Sequence, residues 1–269
     1  MLSNKLIFGN MRNLLTILLL TSSIARANSP LSLIGGQILC DYQHYYSATG
    51  LSQQLIGLGL AGLAANTDID QGLQDEWQQH LRGNTTNRLS DIFNDYGEIT
   101  QYKISIPIYV LLIGIEAAYP QQPLASCLGI FGNHALRTLL VGAPQQVALT
   151  HLLGGGRPQT EQSQWHLFKH QRAVSGHAFY GAIPFINLAK QTQLPLIKTS
   201  YYVLSTFPGL ARINNNKHYF SQSLLGWWIA FSAANAVWKT EEVSKKPYTW
   251  SLQLRPYSDG IYLGLEAKL

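Results

Sequence analysis

The twenty residues 219–238, YFSQSLLGWWIAFSAANAVW, contain no charged side chain. A helix of this composition is apolar on every side, which is typical of a helix buried at the centre of a bundle. The stretch also holds one glutamine, one asparagine and three serines, which makes it a poor match to a transmembrane span. It therefore predicts a mainly α protein built around one buried helix.

Other apolar segments extend this prediction to the rest of the chain. Residues 104–115 and 178–190 are apolar runs of core-helix length. Residues 124–153 form a longer apolar stretch, in which Gly142-Ala143-Pro144 predicts a break. Residues 154–174 are polar and glycine-rich and predict a loop. Membrane-spanning helices stay open as the alternative to buried ones.

The two ends of the chain have their own character. Residues 1–27 combine basic residues, the apolar run 14–20 and the sequence Ala-Arg-Ala at 25–27, which is typical of a cleaved signal peptide. The alternative is an uncleaved anchor. Near the C-terminus, residues 250–254 and 261–267 alternate apolar and polar side chains around a Pro-Tyr-Ser-Asp-Gly turn, which predicts a short β-hairpin.

The composition of the chain excludes some classes of protein. Hydrophobic residues make up 46% of the 269 and charged residues only 12%, which excludes a disordered chain. Removing residues 1–27 lowers the net charge from +5 to +2, and the remaining basic residues are scattered, so we expect no nucleic-acid partner. Export places the protein in the periplasm or cell envelope, where Cys40 and Cys127 either form a disulfide or stay as buried thiols.

Three short segments carry complementary chemistry: Gly154–Pro158 (GGGRP), Val174–His177 (VSGH) and Arg212–Gln222 (RINNNKHYFSQ). In the second, Ser175 precedes an apolar helical run and fits an N-cap. The backbone N–H groups of Gly176 and His177 would then lie at a helix N-terminus, which favours an anion. The His177 imidazole, one turn inside, can exchange a proton with that anion.

The first and third segments supply cations and a second imidazole. Arg157 and Arg212 can each bind a phosphate through two N–H groups. Residues 214–216 predict a turn before a new helix, on which His218 and Gln222 would share one face at i and i+4. Gln222 could then fix the tautomer of His218. Each feature alone is more often structural, as a loop, a helix cap or a packed histidine.

Together and in this order, the segments resemble the type 2 phosphatidic acid phosphatase superfamily. That superfamily includes lipid phosphatases, bacterial class A acid phosphatases and vanadium haloperoxidases, with the signature K-x6-R-P, P-S-G-H and S-R-x5-H-x3-D. The matching residues are Arg157-Pro158, Ser175-Gly176-His177, Arg212, His218 and Gly226-Trp227.

The resemblance implies a helical bundle of the phosphatidic acid phosphatase and haloperoxidase type. We expect residues 101–240 to form it, 28–100 to pack on it and 241–269 to extend it as the hairpin.

The resemblance also implies a mechanism. His218 would attack phosphorus, His177 would protonate the leaving alcohol, and Gln222 would orient His218. No metal or other cofactor is implied, and vanadate is expected to inhibit. The residues implied to hold the phosphoryl oxygens are Arg157, Ser175, Gly176 and Arg212.

The chain departs from the signature in ways that bear on activity. Thr150 replaces the lysine of the first motif, which removes a cation. Gln222 replaces the aspartate that orients the nucleophilic histidine, so His218 has an orienting group without a negative charge. Two smaller departures are Val174, which replaces the proline of the second motif, and Ala211, which replaces the serine of the third. The cations that could compensate for Thr150 are Lys169, Arg172 and Lys217.

The sequence leaves four alternative functions open. The first is a phosphatase that hydrolyses phosphate monoesters or diphosphates, with a lipid-linked or small phosphoester substrate and contact with a membrane surface. The second is a non-catalytic protein that binds phosphate or a lipid headgroup, because of Thr150 and Gln222. The third is a vanadium haloperoxidase. The fourth is a structural envelope protein whose hairpin, residues 249–268, docks to a partner.

Overall fold

The structure, a computed structural model, describes residues 30–159, 162–243, 249–257 and 260–268. Within these residues the chain is mainly helical, which confirms the predicted class. A single π-helical turn, Trp77–Leu81, follows the third helix. The helices are α1 (Pro30–Tyr45), α2 (Ala48–Ala65), α3 (Ile69–Glu76), α4 (Asn84–Ile99), α5 (Tyr102–Ala118), α6 (Pro123–Leu153), α7 (Gly176–Gln191), α8 (Pro195–Asn214) and α9 (Phe220–Val243).

The uncharged stretch forms α9, and α9 is the central helix of the bundle. It packs against α1, α2, α6, α7 and α8. Leu225, Ile229 and Ala233 on this helix are almost completely buried. Gly226 permits the closest contact, because a Cβ atom at this position would collide with the backbone carbonyl of Ser175. The helix that carries Gln222 therefore lies directly against the start of α7.

Helix α6 is continuous over 31 residues, so the predicted break near residues 142–144 was wrong. Pro144 lies inside this helix. A proline within a helix removes one backbone hydrogen bond, but tertiary packing compensates here. Gly142 lets the helix approach closely, since a Cβ atom there would lie 2.7 Å from the Phe179 ring and 3.2 Å from Ala233.

Among the described residues, α6 is also the one single helix that is long and apolar enough to cross a membrane. Its most apolar window of 18 residues has a mean hydropathy of 1.3, and 56% of this window is buried inside the protein. Helices α4 and α5 pass the same test only as a pair, which is bent by 68°. A core helix of a soluble bundle has these properties too.

Two strands follow the helices, Thr249–Tyr257 (β1) and Gly260–Lys268 (β2), and they pair antiparallel. The residues that would join them, 258 and 259, lie outside the described residues, so the predicted hairpin stays a prediction. The predicted signal peptide, residues 1–27, also lies outside them. Cys40 and Cys127 are free thiols, the first exposed and the second half-buried, so the structure shows neither the disulfide nor the pair of buried thiols.

A buried cluster of charges joins α1, α6 and α9. Arg137 on α6 donates two hydrogen bonds to Asp41 on α1, at 2.7 and 2.6 Å, and forms an ion pair with Glu241 on α9. Asn133 accepts a further hydrogen bond from Arg137 at 3.0 Å. Burial works to raise the pKa of Glu241, but hydrogen bonds from His134 and Arg137 lower that pKa to about 2.

We expect Arg137→Ala to destabilise the protein by about 3–5 kcal/mol, because it leaves buried carboxylates without a counter-charge. Arg88→Ala is the control, since Arg88 is exposed on α4 and should change the free energy of unfolding by less than about 0.5 kcal/mol. Urea unfolding of both variants measures the difference. Equal free energies of unfolding for the two variants would contradict a role for the cluster in joining the helices.

Candidate active site

The start of α7 is built as the sequence predicts. Ser175 is the N-cap residue, and its hydroxyl accepts a hydrogen bond from the Ala178 N–H at 3.3 Å. The Ser175 N–H donates to the backbone carbonyl of Gln222 at 3.0 Å. His177 is the second residue of α7 rather than one turn inside it, because the helix begins at Gly176. The N–H groups of the first turn have no acceptor within the helix.

His218 lies in the turn before α9, not on the helix, because α9 begins at Phe220. The expected contact with Gln222 nevertheless forms, with 2.8 Å between His218 Nδ1 and Gln222 Oε1. The orientation of the Gln222 amide is fixed at both ends. Its Nε2 donates to the Gly156 carbonyl at 2.6 Å, and its Oε1 accepts from the Tyr219 N–H at 3.2 Å.

This arrangement determines the tautomer of His218. Because Gln222 Oε1 can only accept, His218 Nδ1 must carry the hydrogen. The other ring nitrogen, Nε2, then keeps its lone pair. Burial, followed by the positive charges of Arg212 and Arg157, lowers the pKa of His218 to about 3, although the Gln222 hydrogen bond works in the opposite direction. The imidazole is therefore neutral at ordinary pH and can act as a nucleophile through Nε2.

Arg157 and Arg212 are brought together beside His218. Arg157 follows the glycine-rich loop after α6, and Arg212 lies in the last turn of α8. The Nε atoms of both are buried and have no hydrogen-bond acceptor within the described parts of the chain. Burial lowers the pKa of Arg212, as does the nearby charge of Arg157. Two guanidinium groups with unmatched buried donors are suited to an oxyanion with several acceptor oxygens.

The glycine-rich loop needs its glycines. Gly154 ends α6 in the left-handed conformation, with φ 65°. A Cβ atom at this position would collide with the backbone carbonyls of His166 and Lys169. Gly155 leaves room for Gln222, whose Nε2 would lie 3.1 Å from a Cβ atom there. The loop therefore requires glycine at position 154, whereas a side chain at position 155 would crowd the Gln222 amide.

Thr150 supplies no charge to this site. Its hydroxyl donates to the Gln146 carbonyl one turn earlier on α6, at 2.7 Å. Three cations were expected to compensate, Lys169, Arg172 and Lys217. Arg172 is the one whose positive charge lowers the pKa of Arg157, after burial. Arg172 is therefore the strongest candidate of the three for the charge that Thr150 lacks.

The sequence reasoning missed the residues that hold the turn between Arg212 and His218. They lie on α3 and the π-helical turn after it. Gln74 Nε2 donates to Asn216 Oδ1 at 2.6 Å, which holds Asn216 in the left-handed conformation with φ 54°. Trp77 Nε1 donates to Asn214 Oδ1 at 3.1 Å. These contacts join residues more than 130 positions apart, so no local pattern indicates them.

Asp70 on α3 caps the start of α9. Its carboxylate accepts hydrogen bonds from the Ser221 N–H at 2.9 Å and from the Ser221 hydroxyl at 2.5 Å. Burial raises the pKa of Asp70, while both hydrogen bonds from Ser221 lower it. The Asp70 carboxylate also complements the positive N-terminal end of the α9 dipole. Asp70 thereby fixes the helix end on which the His218 turn depends.

Helix α4 contributes two further missed contacts. Asn94 Oδ1 accepts from Arg212 Nη1 at 3.1 Å. Glu98 Oε1 lies 3.0 Å from His177 Nε2. Residues 66–103 are rich in polar side chains, and the pattern does not tell a solvent-facing polar residue from one that faces the site.

Comparison with known proteins bears on the same region. A family model described as the PAP2 superfamily matches residues 132–246. That range includes every residue of the three segments. No curated protein and no solved structure matches the chain. Among the described residues, no group of three or more His, Cys, Asp or Glu side chains is arranged to hold a metal ion.

We expect Asp70→Ala to lower the free energy of unfolding by about 1–3 kcal/mol, because it leaves the Ser221 N–H and hydroxyl buried without an acceptor. Asp75→Ala is the matched control on the same helix, since Asp75 is exposed and only accepts from Gln71. Thermal and urea unfolding measure both variants. The capping role would be wrong if Asp70→Ala were no less stable than Asp75→Ala.

Proposed function

Because a family model described as the PAP2 superfamily matches residues 132–246, we propose that the protein is a phosphatase acting on phosphate monoesters or diphosphates through a phosphohistidine. The observation that carries the proposal is the state of His218. It is buried, neutral and held through Nδ1 by Gln222, beside two arginines whose buried Nε donors lack acceptors. A nucleophile in a cationic pocket is what phosphoryl transfer needs.

The reaction would have two steps. In the first, the His218 Nε2 lone pair attacks phosphorus, the bond to the leaving oxygen breaks, and His177 donates a proton to that oxygen. In the second, His177 takes a proton from water, the water oxygen attacks phosphorus, and the bond between phosphorus and Nε2 breaks. Arg157, Arg212 and the backbone at Gly176 would hold the phosphoryl oxygens throughout. Neither step requires a metal, and vanadate should inhibit.

We expect purified full-length protein to release phosphate from p-nitrophenyl phosphate or phosphatidic acid, and His218→Ala to reduce kcat by about a thousand-fold or more, because the nucleophile is removed. His80→Ala is the control, since His80 is exposed and pairs with the equally exposed Glu76. A colorimetric phosphate assay measures the rates. Equal activity of His218→Ala and the native protein would overturn the phosphohistidine mechanism.

A second candidate function, a non-catalytic protein that binds phosphate or a lipid headgroup, is favoured by Gln222. An amide orients His218 but does not stabilise the positive charge that the imidazole acquires on phosphorylation. Gln222→Asp would supply that charge, although it would lose the hydrogen bond from Nε2 to the Gly156 carbonyl. A silent native protein with an active Gln222→Asp variant would indicate such a binder.

The outer faces of two helices support contact with a lipid surface. On α2 the exposed side chains are mostly leucine and isoleucine, and Leu55 is 65% exposed. The buried side of the same helix is made of small and polar residues such as Ala61 and Gln54. Helix α5 is arranged in the same way, with Leu111 62% exposed. Large apolar faces of this kind are typical of surfaces that contact membranes or proteins, which fits an exported, membrane-associated enzyme with a lipid-linked substrate.

We expect the protein to float with phosphatidylcholine vesicles in a density gradient, and Leu55→Glu to reduce the floating fraction several-fold, because a charge there costs free energy in contact with acyl chains. Ser200→Glu is the control, since Ser200 is exposed on a different helix, α8. Membrane contact through α2 would be refuted if both variants floated as well as the native protein, or if the native protein did not float.

A further inference from the structure

Helix α4 lies against the imidazole that the proposed function uses as its acid and base. Glu98 Oε1 is 3.0 Å from His177 Nε2. The backbone of α4 also packs closely against the ring, since a Cβ atom on Gly97 would lie 2.6 Å from His177 Cδ2. The His177 side chain is 13% exposed and that of Glu98 is 68% exposed. The carboxylate therefore reaches the buried ring from the solvent side.

The same face of α4 reaches a second residue of the site. Asn94, one turn before Glu98, accepts a hydrogen bond from Arg212 Nη1 at 3.1 Å. Residues four apart on a helix lie on one face, so Asn94 and Glu98 approach the site side by side. Both lie outside residues 132–246, the range that the family model matches. Helix α4 therefore forms one side of the site, and this side lies outside the family match.

We propose that Glu98 is a positioning residue for His177: its carboxylate accepts the Nε2 hydrogen and leaves Nδ1 as the nitrogen that exchanges a proton with the substrate. The proposal rests on the phosphatase function, in which His177 is the acid and base. A carboxylate in this position fixes the orientation and the tautomer of a histidine and stabilises its protonated form. Gln222, in contrast, gives His218 orientation without charge.

The groups around His177 shift its pKa in opposite directions. Burial lowers the pKa of His177, and the positive charge of Arg212 on α8 lowers it further. His218, before α9, interacts electrostatically with His177 as well. Glu98 on α4 works in the opposite direction and raises the pKa of His177 through its charge and its hydrogen bond. Gln101, whose Nε2 is 3.5 Å from His177 Nδ1, is uncharged. Glu98 is thus the group that favours the protonated acid.

The test compares Glu98→Gln with Asp95→Asn. Both variants remove one exposed carboxylate from α4 and keep the side-chain shape. Proton-detected NMR titration of the full chain, with the His177 signal identified by its loss in His177→Gln, measures the pKa of His177 without substrate. We expect Glu98→Gln to lower that pKa by about half a unit to one unit, a range set by partial exposure of the pair, and Asp95→Asn to leave it unchanged.

The pH dependence of kcat/KM gives the second readout. The acid must be protonated in the first step, so activity falls as pH rises through the pKa of His177. Glu98→Gln should move this alkaline limb to lower pH by the shift seen in the titration. A purely structural role for Glu98 would lower activity at every pH and leave the limb in place.

The two readouts separate failure of the inference from failure of the proposed function. An unchanged His177 pKa in Glu98→Gln would overturn the positioning role even if the enzyme is active. Absence of phosphate release in the native protein would overturn the phosphatase function, while the titration would still decide whether Glu98 controls His177. A lowered pKa together with a shifted limb would support both.

Discussion

The hydrogen bonds of one residue, Gln222, hold the three segments of the site together. Its side-chain Nε2 binds the Gly156 carbonyl of the glycine-rich loop, and its Oε1 binds His218 Nδ1. Its backbone carbonyl accepts from the Ser175 N–H at the start of α7. One buried residue on the central helix therefore sets the positions of the glycine-rich loop, the N-cap and His218 relative to one another.

The hydrogen bonds at position 222 explain why a neutral amide fits there. An aspartate could bind His218, but it offers no donor to the Gly156 carbonyl, which would then be buried without a partner. The glutamine satisfies both neighbours at the cost of the negative charge. Since His218 is surrounded by Arg157, Arg212 and His177, the neutral imidazole is strongly favoured in the resting state. A bound phosphoryl group would bring the negative charge that the side chain at 222 lacks.

The sequence predicts those parts of the structure that depend on neighbours along the chain. The N-cap Ser175, the turn at 214–216 and the buried central helix follow from local residue types and periodicity, and the motif spacing indicates that Arg212 and His218 belong to one site.

Contacts that depend on tertiary packing could not be predicted. Helix α6 continues through Pro144, and Gly142 lies close to Phe179 and Ala233. Asp70, Asn94 and Glu98 reach the site from helices whose polar residues resemble any solvated face. Their roles depend on which helix face turns inward, and that is decided by packing across the bundle.

The contact between Asp70 and Ser221 spans 151 residues, and this separation bears on how the site is assembled. Contacts so far apart in sequence form late, because a long loop must be closed before they contribute free energy. The cap on α9, and with it the His218 turn, cannot exist until nearly the whole chain has been synthesised. A partly made chain that ends before α9 lacks both this cap and the Gln222 side chain that holds His218. The candidate site is thus assembled only in the final stage of folding.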